Sequence, residues 1–315
     1  MPQTFKMPEG QSVADAPKGN WVDLYAPAIT RPYLRLSRAD RPIGTWLLLI
    51  PCLWGIALAA LESGYGWWDL WLAVSCGLGA FLMRGAGCTW NDITDRHIDA
   101  AVARTKSRPL PSGAVTVRGA VVWMVAQALV AALILFTYNW LAVGLGVASL
   151  GLVAIYPFAK RFTWWPQVFL GLAFNWGAVL VFTAHQGRIG GASLALYGAG
   201  IAWTLYYDTI YAHQDKDDDA LIGVKSTAIL FADADRHIIG FLQLMFVVTM
   251  WLVAQRFSLG FWYYLSLAVV IGLFVHQQRL ISERNRDDCF KAFLQNNYVG
   301  MAVFVGTMMT FWFDR

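Results

Sequence analysis

Three carboxylates and an amide fall within nine residues, Asn91-Asp92-Ile93-Thr94-Asp95-Arg96-His97-Ile98-Asp99. Asn91, Asp95 and Asp99 are spaced i, i+4, i+8, which on a helix sets their polar tips on one face, a turn apart. Asp92 lies three residues before Asp95. Like charges this close repel one another, so the cluster is costly unless a cation sits among them. Hard oxygen donors suit Mg²⁺, which keeps several waters and bridges to substrate phosphates. A solvated acidic helix end is the alternative reading.

A second acidic segment spans Asp208-Thr209-Ile210-Tyr211-Ala212-His213-Gln214-Asp215-Lys216-Asp217-Asp218-Asp219. Spacings of i, i+3, i+7 and i+11 predict Asp208, Tyr211, Asp215 and Asp219 on one helix face. Asp208 lies at the edge of an apolar run, where a carboxylate is expensive unless paired or metal-bound. Asp217 and Asp218 point elsewhere and read as solvated. Cations stand near both segments: Arg104, Lys106 and Arg108 after the first, Lys160 and Arg161 after Tyr156-Pro157, and Lys225 in Gly223-Val224-Lys225-Ser226-Thr227. Taken alone, these cations are topology signals. Taken with the acids, they complement a polyanion whose remaining charge is met by Mg²⁺, as a diphosphate demands. No paired-His or thiol motif, P-loop or Gly-x-Gly-x-x-Gly occurs, so zinc hydrolysis and nucleotide-driven phosphoryl chemistry lack support.

The elements that must position these groups are apolar. Of 315 residues, 57% are hydrophobic and 14% charged, against about 25% charged in soluble proteins. Nine apolar runs, near 42–61, 69–90, 119–137, 140–157, 164–184, 190–212, 237–254, 259–278 and 292–312, are each long enough or nearly so to span ~30 Å of hydrocarbon. The fold expected is all-α and polytopic. Residues 1–20 read as a disordered polar tail. Residues 21–41 mix Trp21, Leu24 and Tyr33 with Arg31, Arg35, Arg38 and Arg41, as an amphipathic segment on an anionic membrane surface would. Residues 42–315 hold the helical domain. With the N-terminus inside, 20 of the 24 Lys and Arg fall in the tail and alternate loops. Arg188, Arg256 and Arg315 fall on the other side, and Arg84 within a span. This asymmetry predicts a cytoplasmic N-terminus and an outside C-terminus.

The acidic segments follow runs two and six, and basic clusters follow runs four and eight, so the plan repeats weakly after four helices. Symmetric packing of the halves would face both acidic segments into one cavity opening to the cytoplasm. The four cysteines read as packing residues. Nucleic acid is not expected as a partner. A diphosphate inside an apolar protein suggests a lipid diphosphate, whose ionisation leaves an allylic cation needing a dry, electron-rich wall. Trp90, Phe174, Trp176, Trp203, Tyr206, Tyr207 and Tyr211 are candidates for that wall, and each also reads as a packing residue.

Five ordered motifs now carry a resemblance. Asn91-Asp92-x-x-Asp95-x-x-x-Asp99, Arg104-Thr105-Lys106-Ser107-Arg108-Pro109, Tyr156-Pro157-x-x-Lys160-Arg161, Asp208-x-x-Tyr211-Ala212-x-x-Asp215-x-x-x-Asp219 and Gly223-x-Lys225-Ser226-Thr227-Ala228 resemble the UbiA-type intramembrane prenyltransferases. Asp40-Arg41-Pro42-Ile43-Gly44 is similar to the N-terminal motif of the branch that prenylates 4-hydroxybenzoate for ubiquinone. The likeness runs from about residue 30 to 310. It implies nine transmembrane helices around a central cavity; with no mitochondrial presequence pattern in the sequence, the bacterial inner membrane is the expected location. It implies Mg²⁺-assisted departure of diphosphate from an all-trans polyprenyl donor, and attack by the ring carbon ortho to the phenol hydroxyl.

By carry-over, Asn91, Asp92, Asp95 and Asp99 bind Mg²⁺ and diphosphate on one side, and Asp208, Asp215 and Asp219 on the other. Arg104, Lys106, Arg108, Lys160 and Lys225 would grip diphosphate oxygens. Arg41 and Arg161 are candidates for the benzoate carboxylate, and Tyr156 and Tyr211 for substrate contact. The partners implied are polyprenyl diphosphate, 4-hydroxybenzoate and membrane lipid; no protein partner is indicated. Homogentisate or haem as acceptor, and a cation-coupled transporter, remain as alternatives at this stage. A CDP-alcohol phosphotransferase is disfavoured because its Asp-Gly-x-x-Ala-Arg signature is absent.

Overall fold

A computed structural model of the chain describes residues 16–102 and 104–314. The tail expected over 1–20 lies mostly outside them. Two short helices, α1 (Trp21–Tyr25) and α2 (Arg31–Leu36), occupy the basic-aromatic segment. The Asn20 side chain caps α1 by accepting from the Asp23 N–H, and Pro32 stands in the first turn of α2, two favoured starts. The Arg35–Asp23 pair at 2.7 Å ties the two helices together.

The longer helices are α3 (Ile43–Ser63), α4 (Trp67–Ala101), α5 (Val117–Leu135), α6 (Trp140–Phe162), α7 (Pro166–Gln186) and α8 (Gly191–Ala212). After these come α9 (Lys216–Ile222), α10 (Thr227–Leu230), α11 (Asp235–Phe257), α12 (Phe261–Leu280), α13 (Arg286–Leu294) and α14 (Asn296–Phe313). Among the described residues there is no strand, and a helix occupies each of the nine apolar runs. Seven helices among them, α3 to α7, α11 and α12, are long and apolar enough to cross a membrane.

The two remaining runs, α8 and α14, fall short because they carry polar groups. Trp203, Tyr206, Tyr207 and Asp208 interrupt the first, and Asn296 and Asn297 open the second. Protein rather than lipid meets several of these groups. Tyr206 is fully buried and its hydroxyl donates to Asn296 Oδ1 at 2.5 Å. A helix sheathed by its neighbours need not be uniformly apolar, since its polar groups find partners inside the protein. Other helices leave large apolar side chains uncovered: Val122, Leu129 and Leu133 on α5, and Phe241, Leu244 and Val248 on α11. Such stripes would drive association in water and suit lipid. This is a multi-pass membrane protein.

The described chain divides into two compact units. One comprises residues up to Thr45 with Gly77–Thr137. Its core joins Leu36, Ile93, Leu110, Val115 and Ala120, with Tyr33 and Trp123 against them. Trp123 Nε1 donates to Ser37 Oγ at 2.7 Å, and Ser37 Oγ donates to Gln127 Oε1 at 3.0 Å. A Cβ at Gly85 would crowd the Gln127 amide and Ser37, so a larger residue there would have to displace the Gln127 side chain from Ser37. The other unit comprises Trp46–Cys76 and residues from Tyr138 on. Within it α8 packs against α7, α11 and α13. Rings meet around α8: Trp203 lies 5.1 Å from Trp54 and 5.2 Å from Tyr207, Tyr206 lies 5.4 Å from Phe274, and Tyr211 lies 4.7 Å from Phe293. Trp203, Tyr206 and Tyr207 are fully buried in this contact, so all three serve as packing residues. The four cysteines are buried free thiols.

Candidate active site

In the first unit the acidic segment lies on one uninterrupted helix, as its spacing predicts. α4 has 35 residues, about 52 Å at 1.5 Å per residue, well over the ~30 Å that hydrocarbon requires. Asn91–Asp99 occupies its last turns. Asp92 and Asp95 are fully buried and Asp99 nearly so, whereas Arg96 and His97 are exposed.

Arginines divide this row. Arg38 donates from Nη1 to Asp92 Oδ2 at 3.0 Å and from Nη2 to Asp92 Oδ1 at 2.5 Å. Arg108 donates from Nη1 to Asp99 Oδ2 at 3.0 Å and Oδ1 at 3.1 Å, and lies 3.5 Å from Asp92. Of the cations expected to grip diphosphate, Arg108 therefore turns onto the Asp segment itself, Lys106 is exposed and Arg104 is half-buried. Turns hold the connecting loop down. Thr105 Oγ1 donates to the Asp99 carbonyl at 2.9 Å, and Ser112 Oγ to the Arg108 carbonyl at 2.7 Å. Arg41 reaches back to Asp40, Nε to Oδ1 at 3.0 Å.

The second unit departs from the sequence expectation. Asp208, Tyr211, Asp215 and Asp219 do not share one helix face, because α8 stops at Ala212 and α9 begins at Lys216. Asp208 and Tyr211 lie on α8. Asp215 is the residue before α9, and Asp219 is within it. Asp217, Asp218 and Asp219 crowd the first turn of α9, which favours a helix N-terminus there. Gly223, at φ +74°, ends it.

A buried cluster clamps the break. His213 bridges the Thr209 carbonyl through Nδ1 at 2.9 Å and Asp235 Oδ2 through Nε2 at 2.9 Å. Arg284 donates to both Asp235 oxygens at 2.8 Å. These hydrogen bonds to the Asp235 carboxylate hold the Arg284 guanidinium above its ordinary pKa. Asp208, Asp215 and Asp219 are half-buried, while Asp217 is exposed and paired with Arg286 at 3.1 Å, as its solvated reading predicts.

Two loops bring cations to the same end of α8. Lys225 N–H donates to the Lys160 carbonyl at 3.1 Å. Two residues on, Thr227 Oγ1 lies 2.6 Å from Thr209 Oγ1. The Lys225 ammonium stands over the Trp164 ring at 5.6 Å. Tyr156 is half-buried, and the exposed Arg161 stacks on Phe158 at 5.1 Å. At the start of α8 a cavity of 320 Å³ is lined by Glu62, Arg188, Gly190, Leu252 and Arg256 among others. It holds none of the expected site residues.

Sequence reasoning passed over Arg38, His213, Asp235 and Arg284. For Arg38 a signal existed, since it is one charge of a basic-aromatic segment only three residues before Arg41. No local signal marks Asp235, whose partners lie 22 and 49 residues away.

Among the described residues no three His, Cys, Asp or Glu side chains converge as a metal cage. The donors are nonetheless hard oxygens, and Mg²⁺ is usually held by one or two carboxylates with waters and substrate phosphates. The residues fit a metal bound together with a diphosphate.

The profile of the UbiA prenyltransferase family matches residues 48–305. This chain belongs to the UbiA prenyltransferase family. It is 45% identical over 282 residues to a 4-hydroxybenzoate octaprenyltransferase of Vibrio campbellii, covering 90% of this chain and 98% of that one. To the mitochondrial 4-hydroxybenzoate polyprenyltransferase of Aedes aegypti it is 48% identical over 286 residues, covering 89% of this chain but only 64% of the relative. The fold matches that of a UbiA homologue from Archaeoglobus fulgidus solved bound to GPP and Mg²⁺. The TM-score is 0.60 at 19% identity, over 88% of this chain and 99% of that one. Both acidic segments lie inside the stretch that the UbiA profile matches, whereas Arg38 and Arg41 lie just before it.

Proposed function

We propose that this UbiA family member transfers a polyprenyl chain from an all-trans polyprenyl diphosphate to 4-hydroxybenzoate, releasing diphosphate, in ubiquinone biosynthesis. One observation carries the reading: Asp92 and Asp99 at the end of α4 lie among Arg38 and Arg108, and the segments carrying Lys160 and Lys225 meet beside the end of α8 that bears Asp208. The names and identities of the relatives support the acceptor. Asn91, Asp95, Asp208, Asp215 and Asp219 would hold Mg²⁺ and the diphosphate, Arg104, Lys106, Lys160 and Lys225 would neutralise its oxygens, and the paired Asp99 and Arg108 would turn to the metal and the diphosphate when these bind. Mg²⁺ supplies charge neutralisation to the departing diphosphate. The polyprenyl C–O bond breaks, the ring carbon ortho to the hydroxyl bonds to the allylic carbon, and that ring carbon loses a proton. Tyr156 and Tyr211 are assigned to substrate contact, and Asp208 to accepting the proton.

All nine long helices cross the bacterial inner membrane around a central cavity that opens to the cytoplasm, with the N-terminus inside. This extends the seven helices that length and apolarity support, and it rests on the distribution of Lys and Arg. Residues 21–41 lie along the cytoplasmic surface.

The test incubates membranes containing the protein with a polyprenyl diphosphate and a panel of aromatic acceptors, with and without EDTA. Product from 4-hydroxybenzoate, lost with EDTA and restored by Mg²⁺, is expected. Absence of that product, or its persistence in EDTA, overturns the reading. Arg41 and Arg161 are assigned to the acceptor carboxylate. Arg41→Ala is expected to raise the KM for the aromatic acid about 10- to 100-fold, the worth of a charged hydrogen bond, with donor KM little changed. Steady-state kinetics in both substrates checks this, and an unchanged acceptor KM removes Arg41 from that role.

A further inference from the structure

We propose that Asp92 is an anchor and not a metal ligand, and that Arg38 is the positioning residue that holds it and so sets the rotation of α4 for Asn91 and Asp95. The inference rests on the proposed prenyl transfer.

Asp92 is fully buried and both its oxygens are taken by the two Nη atoms of Arg38, with Arg108 behind at 3.5 Å. A bidentate guanidinium occupies one in-plane lone pair on each oxygen, the inner pair that a chelating metal would use. It also brings a fixed positive charge against any divalent ion at that carboxylate.

Arg38 is itself built into place. It follows the C-cap of α2 in a left-handed conformation, φ +57°, which non-glycine residues keep only where the surroundings over-determine it. Its Nη1 also donates to the Arg35 carbonyl at 3.1 Å. The preceding Ser37 is locked between Trp123 and Gln127 of α5. The clamp thus joins the end of α2, α5 and α4.

Helical geometry then explains the purpose. At 3.6 residues per turn Asp92 stands about 100° round from Asn91 and about 60° from Asp95. Holding one carboxylate fixes the direction of the other donors. It also removes one negative charge from a row of three, which would otherwise repel the diphosphate.

Activity is measured in membranes for wild type, Arg38→Gln, Arg38→Lys, Asp92→Asn and Arg38→Gln/Asp92→Asn, each normalised to the amount of protein accumulated. For each, kcat, the KM for prenyl diphosphate and the Mg²⁺ concentration at half-activation are read. Arg38→Gln is expected to cost about 10²-fold in kcat/KM, the scale of a misplaced site, with raised donor KM because Asp92 is left uncompensated. Lysine at 38, which restores the charge but not the two-pronged contact, should recover only part of this loss. The paired variant should outperform either single change, and Asp92→Asn should leave Mg²⁺ half-activation as in wild type.

A Mg²⁺ requirement raised tenfold or more in Asp92→Asn overturns the inference, because that is the mark of a lost ligand. Losses that simply multiply in the paired variant also overturn it. Should Arg38→Gln fail to accumulate, the Mg²⁺ titration of Asp92→Asn decides alone. Wild-type membranes that make no prenylated product would instead overturn the proposed function, so the two failures are separable.

Discussion

Asp95→Asn is expected to abolish prenyl transfer in membranes supplied with Mg²⁺, while the protein still inserts and accumulates. The substitution preserves shape, removes the charge and turns one acceptor oxygen into an N–H donor that cannot ligate a metal. Asp95 is fully buried on the last turns of α4, where a carboxylate is tolerated for what it binds. Loss of a ligand to a catalytic metal forfeits several kcal/mol of transition-state stabilisation, so the rate should fall by about 10³-fold or more. Product formation is measured beside the amount of protein in the membrane. Full activity at normal accumulation would remove Asp95 from the metal set. Asp217→Asn is the matched control, since Asp217 is exposed and its pair with Arg286 is of the surface kind that contributes little.

Asp235→Ala should produce the largest loss of stability. Asp235 is 1% exposed and is the shared acceptor for His213 and Arg284. Its removal leaves Arg284 and His213 without their carboxylate at the end of α8. Breaking a buried charge pair from one side costs about 3–5 kcal/mol. In a protein of this size that corresponds to a fall of roughly 10 °C in Tm. Thermal unfolding of the detergent-solubilised protein at a fixed scan rate measures it, since such unfolding is often irreversible. Asp235→Asn, which keeps an acceptor oxygen, should lose less. A midpoint within 1 or 2 °C of wild type, about 1 kcal/mol or less, would show that the cluster does not hold the α8–α9 break.

Much of this protein was legible in one dimension, for reasons that lie in lipid and in charge. A bilayer admits helices of a set length and apolarity, so the existence of all nine helical runs could be read from hydropathy, although α4 runs on to Ala101, well past the apolar run ending at 90. Seven of them are long and apolar enough to cross a membrane, whereas α8 and α14 carry polar residues met by protein, such as the Tyr206–Asn296 pair. The acidic segments announced themselves because clustered carboxylates beside apolar runs are costly, and costly groups are kept for a use. Sequence alone therefore determined the helical class and the family, and it nominated the chemical groups proposed for the site.

Tertiary structure decided which groups are already engaged. Asp92 and Asp95 are the same residue type three positions apart, yet Asp92 is claimed by an arginine 54 residues away in sequence. Periodicity carries no term for such a partner, so it placed Asp208 to Asp219 on one continuous helix. The chain instead turns at 213–215, where Asp235 and Arg284 fold back onto His213. Spacing describes an isolated helix. The break and the arginine pairing belong to contacts between elements, whose energy depends on residues that only folding brings together.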